Sequence, residues 1–176
     1  MMQAQQGTPA NIPSRMILIA ELTIGETRLT LNLQDWRSWE RDNPSKRRDY
    51  RVEIIDQDEG PRNMETFGNL AAARVRFERW ASALLDDAPD ATIERHATRA
   101  RIASFEYGSG IRYNVLKALH SELLGARRQY LVEVTADGEV KSTNAIPNRD
   151  VALYNLKLAI NNALSRVVAD YDEALL

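Results

Sequence analysis

Residues 16–33 alternate apolar and polar side chains on both sides of a glycine, and this pattern limits the possible fold more than any other part of the chain. A two-residue turn at Gly25 and Glu26 places Leu22 opposite Leu29 on one face of two antiparallel strands. Glycine at the first turn position suits a type II′ hairpin, because that position needs a positive φ. The sequence therefore predicts a β-hairpin near the N-terminus.

The rest of the chain predicts an α+β fold. Residues 49–56 alternate again and predict a third strand, whereas Leu70, Phe77 and Leu84 recur along one helical face. Strands followed by helices differ from the alternating βαβ order of a doubly wound sheet, which disfavours a dinucleotide-binding fold. The full prediction is an N-terminal β-hairpin plus a third strand, three central helices (63–85, 91–105 and 111–124), a second β-hairpin (128–143) and a long C-terminal helix starting at Pro147 and Asn148.

Composition bounds the domain organisation and excludes several kinds of chemistry. The chain has 176 residues, 44% of them hydrophobic, and no cysteine, which excludes disulfides, thiolate catalysis and iron–sulfur clusters. We expect a flexible N-terminal arm over residues 1–14 and a single α+β domain over 15–176, with no internal repeat. Because the sequence has neither a long apolar span nor a secretory signal, we expect a cytoplasmic protein, or one assembled into a virion or complex from the cytoplasm, with no membrane partner.

The stretch EYGSGIRYN at residues 106–114 places two glycines around a serine ahead of the third predicted helix. Free N–H groups at a helix start attract anions, and residues 91–128 hold seven Lys and Arg against three Asp and Glu. The string matches neither G-x-x-x-x-G-K-[ST] nor G-x-G-x-x-G, so a glycine-rich connection is the simpler interpretation. The alternative is a nucleic-acid or nucleotide-binding protein whose anion-binding residues are Arg95, Arg99, Ser109, Gly110, Arg112, Lys117, Arg127 and Arg128.

A small hydrolase or nuclease is the third hypothesis. His120 and Arg112 lie eight residues apart, about two turns along one helical face. Residues 86–96 gather four acidic side chains with His96, although such acids also cap helices. With only two histidines a three-histidine zinc site is impossible. No set of residues is strong enough to predict a catalytic or metal site, and we expect no cofactor.

Three features favour a protein-binding role, and the first is the flexible N-terminal arm. The loop around Trp36 and Trp39 interleaves tryptophan with arginine, the residue types that dominate protein interfaces. The last helix carries Val151, Tyr154 and Leu158 beside its main apolar stripe, which makes the stripe wider than one packing partner needs. The leading prediction is a non-catalytic protein-binding or self-assembling structural or adaptor protein, for example an inhibitor, an adaptor or a component of a phage particle. Its predicted interface residues are Trp36, Trp39, Arg47, Arg48, Leu164, Val167 and Tyr171.

Overall fold

The computed structural model describes residues 15–35, 48–108, 110–118 and 129–173, and these residues form eight strands and two helices. The described part of the chain is therefore mainly β. In chain order the elements are β1 (Arg15–Ile24), β2 (Thr27–Asp35), β3 (Arg48–Asp56), β4 (Gly60–Phe67), α1 (Leu70–Asp86), β5 (Arg99–Tyr107), β6 (Ile111–Ala118), β7 (Gln129–Ala136), β8 (Glu139–Ile146) and α2 (Arg149–Glu173).

All eight strands belong to one antiparallel sheet with the order β4-β3-β2-β1-β5-β6-β7-β8. β1 and β5 pair in the middle of the sheet, over residues 20–24 and 103–107. Both helices pack on the same face of the sheet and share one hydrophobic core with it. The other face is polar at its centre, and β4 and β8 are the two edges.

The prediction of three central helices is wrong. Among the described residues of this region only α1 is helical, and the start of the first predicted helix belongs instead to β4. The second predicted helix (91–105) falls on a loop and on β5, and the described residues of the third (111–118) form β6, which pairs with β5. The fold is thus a large antiparallel sheet carrying two helices, rather than two hairpins attached to a group of helices.

The residues of β5 and β6 alternate between the two faces of the sheet, but a bulge obscures this alternation in the sequence, and residues 102–105 of β5 are all buried. Phe105 and Val115 face the helices and are fully buried, whereas Glu106 points to the opposite face. A register shift between Arg101 and Ala103 interrupts the alternation. Apolar residues on both sides of that bulge also fit a helical face, which is why the sequence pattern misleads here.

The two predicted hairpins, the third strand and the last helix are confirmed. Gly25 has a φ of +55° in the β1–β2 turn, and the strand register places Leu22 opposite Leu29. Asp137 and Gly138 both have positive φ between β7 and β8, as a type I′ turn requires.

The chain contains a structural repeat that its sequence does not reveal. Each half runs through four strands and one helix, and each helix begins after a capping asparagine. Asn69 Oδ1 accepts the Ala72 backbone N–H at 2.8 Å, and Asn148 Oδ1 accepts the Asp150 N–H at 2.8 Å. Bulges also recur at matching places in the first and fourth strands of each half. Counting from these caps, the matching buried helix positions are Ala73 and Ala152, Phe77 and Leu156, Ala81 and Ile160, and Leu85 and Leu164.

The core joins the two halves. Phe77 of α1 lies against Phe105 of β5 across the junction, with ring centroids 6.3 Å apart. Lys157 of α2 donates to Asp86 of α1 at 2.6 Å and links the two helices at the surface. Within the described residues, neither helix has the length and apolar character needed to cross a membrane.

Candidate functional site

The outer face of α2 carries an apolar stripe that no described element covers. Val151, Tyr154 and Leu158 are 48%, 58% and 42% exposed. Their spacing of three and then four residues places them along one side of the helix. The opposite side of α2 is buried against the sheet. The extra width of the stripe in the sequence is thus exposed surface, not additional core.

This face of α2 is also nearly free of charge. Between Val151 and Ser165 the only charged residue is Lys157. Its ammonium group is already bound to Asp86 in an ion pair of 2.6 Å. Depletion of charge combined with exposed aromatic and aliphatic side chains is characteristic of the centre of a protein interface.

The matching face of α1 is different. Val75, 65% exposed, occupies the position of Tyr154, but Arg79 stands where α2 has Leu158. Neighbouring side chains of α1 form ion pairs, such as Arg74 with Glu78 at 2.6 Å. The repeat therefore provides an internal comparison, and the apolar, uncharged outer face belongs to α2 alone.

A small concavity borders the stripe on the side of α1. It has a volume of about 180 Å³ and is lined by the end of α1 and the beginning of α2. Arg149 donates hydrogen bonds to the Ala88 carbonyl and, at 3.1 Å, to Asp150. Because Lys157 and Asp86 also pair here, the charges of this concavity balance.

A larger cleft borders the stripe on the side of β7 and β8. Its volume is about 390 Å³, and Leu158 belongs both to this cleft and to the stripe. The rings of Tyr107 and Tyr113 lie in its wall, stacked with centroids 6.3 Å apart and an interplanar angle of 18°. Burial raises the pKa of Tyr113 above its usual 10.0, as does the adjacent Tyr107, while the positive charge of Arg166 lowers it. The Tyr113 phenol is therefore a protonated donor at neutral pH.

Some of the predicted interface residues lie outside the described ranges, one lies in a strand, and the others lie on α2. Trp36, Trp39 and Arg47 lie outside the described residues, and Arg48 begins β3. The last part of the set lies on α2, where Leu164 is 1% exposed, Val167 is 8% exposed and the Tyr171 side chain is outside the described part. Leu164 and Val167 therefore pack in the chain's own core, so their apolar character is explained without a partner.

The predicted anion-binding residues that the structure describes do not converge. Arg99 pairs with Glu133 at 3.4 Å and Arg112 with Glu106 at 2.5 Å on the polar face of the sheet. Lys117 lies on the helix side of β6 and pairs with Asp90 at 2.5 Å. Arg95 is exposed in the loop before β5, Gly110 is a turn residue with a φ of +92°, and Ser109, Arg127 and Arg128 lie outside the described residues.

The acidic and histidine residues also separate. Asp86 and Asp90 bind lysines on different elements, and His96 is exposed in the loop before β5. His120 lies outside the described residues. In the described ranges no three His, Cys, Asp or Glu side chains form a group that could hold a metal ion.

The tyrosine cleft is the feature that sequence reasoning missed. Tyr107 and Tyr113 flank the glycines of EYGSGIRYN, which the structure makes the turn between β5 and β6. Reading residues 103–107 and 111–115 as alternating strands places both tyrosines on the same face, opposite Glu106 and Arg112. This alternation was the sequence signal that could have indicated the tyrosine wall of the cleft.

No protein-family model matches the chain, and the search of curated proteins found no match to its sequence.

Proposed function

We propose that the chain is a non-catalytic protein-binding module that self-associates, in the cytoplasm or in a complex assembled from it, through the outer face of α2. The observation that carries this proposal is the exposed stripe of Val151, Tyr154 and Leu158 on a helix face without free charge. An exposed apolar patch with a polar surround is typical of interaction sites.

The pattern of the stripe favours a second copy of the same chain as the partner. In a two-fold dimer the same surface of both copies forms the contact, so like charges on that surface would face and repel one another. Antiparallel packing about an axis near Tyr154 and Asn155 places Val151 opposite Leu158 of the other copy and brings the two Tyr154 rings together. The single charge on this face, on Lys157, is already neutralised by Asp86.

The acidic residues support a structural role rather than a catalytic one. Asp86 links α1 to α2, and Asp90 links the loop after α1 to β6. These carboxylates hold elements together instead of facing a common space.

Replacing Tyr154 by glutamate tests the proposal. A carboxylate at the centre of a two-fold interface would meet its own copy, so we expect Tyr154→Glu to weaken self-association at least about tenfold. The measurement is molar mass by light scattering and sedimentation over a range of protein concentrations. Because the interface is uncharged, we expect the association of the unmodified chain to depend little on salt.

Val75→Glu is the matched control, since Val75 is more exposed and holds the equivalent position on α1. It should leave the mass unchanged. An unmodified chain that stays monomeric at the highest concentration overturns self-association. An oligomer that Tyr154→Glu does not affect shows that another surface forms the contact.

A further inference from the structure

The cleft between α2 and strands β5–β8 has the size and the lining of a small-molecule site. Its volume of about 390 Å³ lies within the range of ligand pockets. The cleft exists because α2 does not cover the edge strand, and Asn144 of β8 stays exposed on the helix side. The cleft borders the apolar stripe and shares Leu158 with it, but its lining is formed without a second copy of the chain.

Hydrogen-bond donors line this space without partners among the described residues. Asn144, Asn155 and Asn162 line it, and no described residue hydrogen-bonds to their side-chain amides. Arg166 also lines it and forms no ion pair with a described carboxylate. Arg166 lies close enough to Tyr113 for its charge to lower the pKa of that phenol.

The residues that line the cleft carry positive charge and no negative charge. Arg166 is its single charged residue, and neither aspartate nor glutamate is among the lining residues. By contrast, arginines elsewhere on the sheet, such as Arg28 and Arg112, pair with glutamates. A guanidinium in a concave space attracts an anion and binds a carboxylate through two parallel hydrogen bonds.

The remaining wall is apolar and aromatic. Val132, Val134 and Ala163 form part of it, together with the stacked Tyr107 and Tyr113 rings. We propose that this cleft binds a small organic monocarboxylate whose body is aromatic or apolar. The acid group lies against Arg166 and the asparagine amides, and the body lies against the tyrosine wall. One cation suits a monoanion better than a phosphate dianion.

N-Acetylphenylalanine is a suitable probe, because it joins a carboxylate to an aromatic ring and an amide. We expect it to shift the side-chain amide signals of Asn144, Asn155 and Asn162 in proton–nitrogen correlation spectra of the full chain. N-Acetylphenylalaninamide, which lacks the charge, should bind at least about tenfold more weakly. Acetate, which lacks the ring, should also bind more weakly.

Arg166→Gln should reduce the affinity for N-acetylphenylalanine at least about tenfold. Arg101→Gln is the matched control: it removes an exposed arginine of β5 that does not line the cleft, and it should leave the affinity unchanged. Thermal unfolding of both variants checks that they fold. Binding should persist in Tyr154→Glu, which separates this proposal from self-association.

Three results would overturn the proposal. The first is an absence of shifts at the three asparagine amides with N-acetylphenylalanine at millimolar concentration. The second is equal binding of the neutral amide probe. The third is an affinity that Arg166→Gln leaves unchanged.

Discussion

At the scale of single residues, the ionisation of Tyr113 beside α2 is shifted by its surroundings. Tyr113 is partly buried beneath that helix beside the ring of Tyr107, and burial is the largest cause of its raised pKa. The phenol is therefore harder to ionise in the folded chain than in the unfolded chain. The positive charge of Arg166 opposes this effect without cancelling it.

We predict that Tyr113 makes stability fall at alkaline pH. Because its pKa is higher in the folded state, its contribution is complete below the usual value of 10.0 and is lost as the pH rises through the folded pKa. In Tyr113→Phe the free energy of unfolding should fall less steeply above pH 10. Denaturant unfolding at a series of pH values measures this. An unchanged pH dependence, together with an unchanged phenolate titration, would refute the prediction.

At the scale of elements, the β5–β6 hairpin turns at the glycines that the sequence offered as a possible anion-binding loop. Gly108 and Gly110 have φ values of +59° and +92°, which L side chains rarely adopt. Tyr107 and Ile111, on either side of the turn, form the first residue pair of the hairpin. The glycines of EYGSGIRYN are therefore required by backbone geometry, whether or not an anion binds there.

We predict that Gly110→Ala lowers the free energy of unfolding by about 1–2 kcal/mol, because an L residue is strained at this φ. The added Cβ would meet only ordinary contacts, the nearest being Asp137 Oδ1 at 3.8 Å, so the effect isolates backbone strain. Gly68→Ala is the matched control, since Gly68 lacks a positive φ and has open space around it. The control should change stability by less than about 0.5 kcal/mol. Equal effects in chemical denaturation would contradict this explanation.

On the scale of the whole molecule, two halves with the same order of four strands and one helix share one core. β1 and β5 pair at the junction, and the contact between Phe77 and Phe105 crosses it. The helices also touch through Lys157 and Asp86. Because the halves share these contacts, the unfolding of one half removes packing contacts from the other.

We predict that Phe105→Ala destabilises both halves together, by about 3–5 kcal/mol. Phe105 is fully buried and stacks on Tyr107 while it contacts Phe77 of the first half. Amide hydrogen exchange should therefore show a similar loss of protection in β2 and in β7. A loss confined to the second half would show that the halves unfold independently.

Local chemistry made parts of this fold predictable. The turn at Gly25, the turn at Asp137 and the helix start at Asn148 depend on neighbouring residues alone, and all three are where the sequence places them. The stripe of Tyr154 and Leu158 was also predictable, because helical periodicity shows that α2 has more apolar surface than one face can bury.

Tertiary structure decided the rest. By itself the sequence determined the two hairpin turns, the start of α2 and the helical periodicity of residues 70–84, since each follows from short-range backbone and side-chain preferences. The identity of β5 and β6 depended on pairing with β1 and β7, and a bulge hid their alternation. The cleft unites Tyr113, Asn144 and Arg166, which are distant in sequence, so it exists only once the sheet and α2 have packed together.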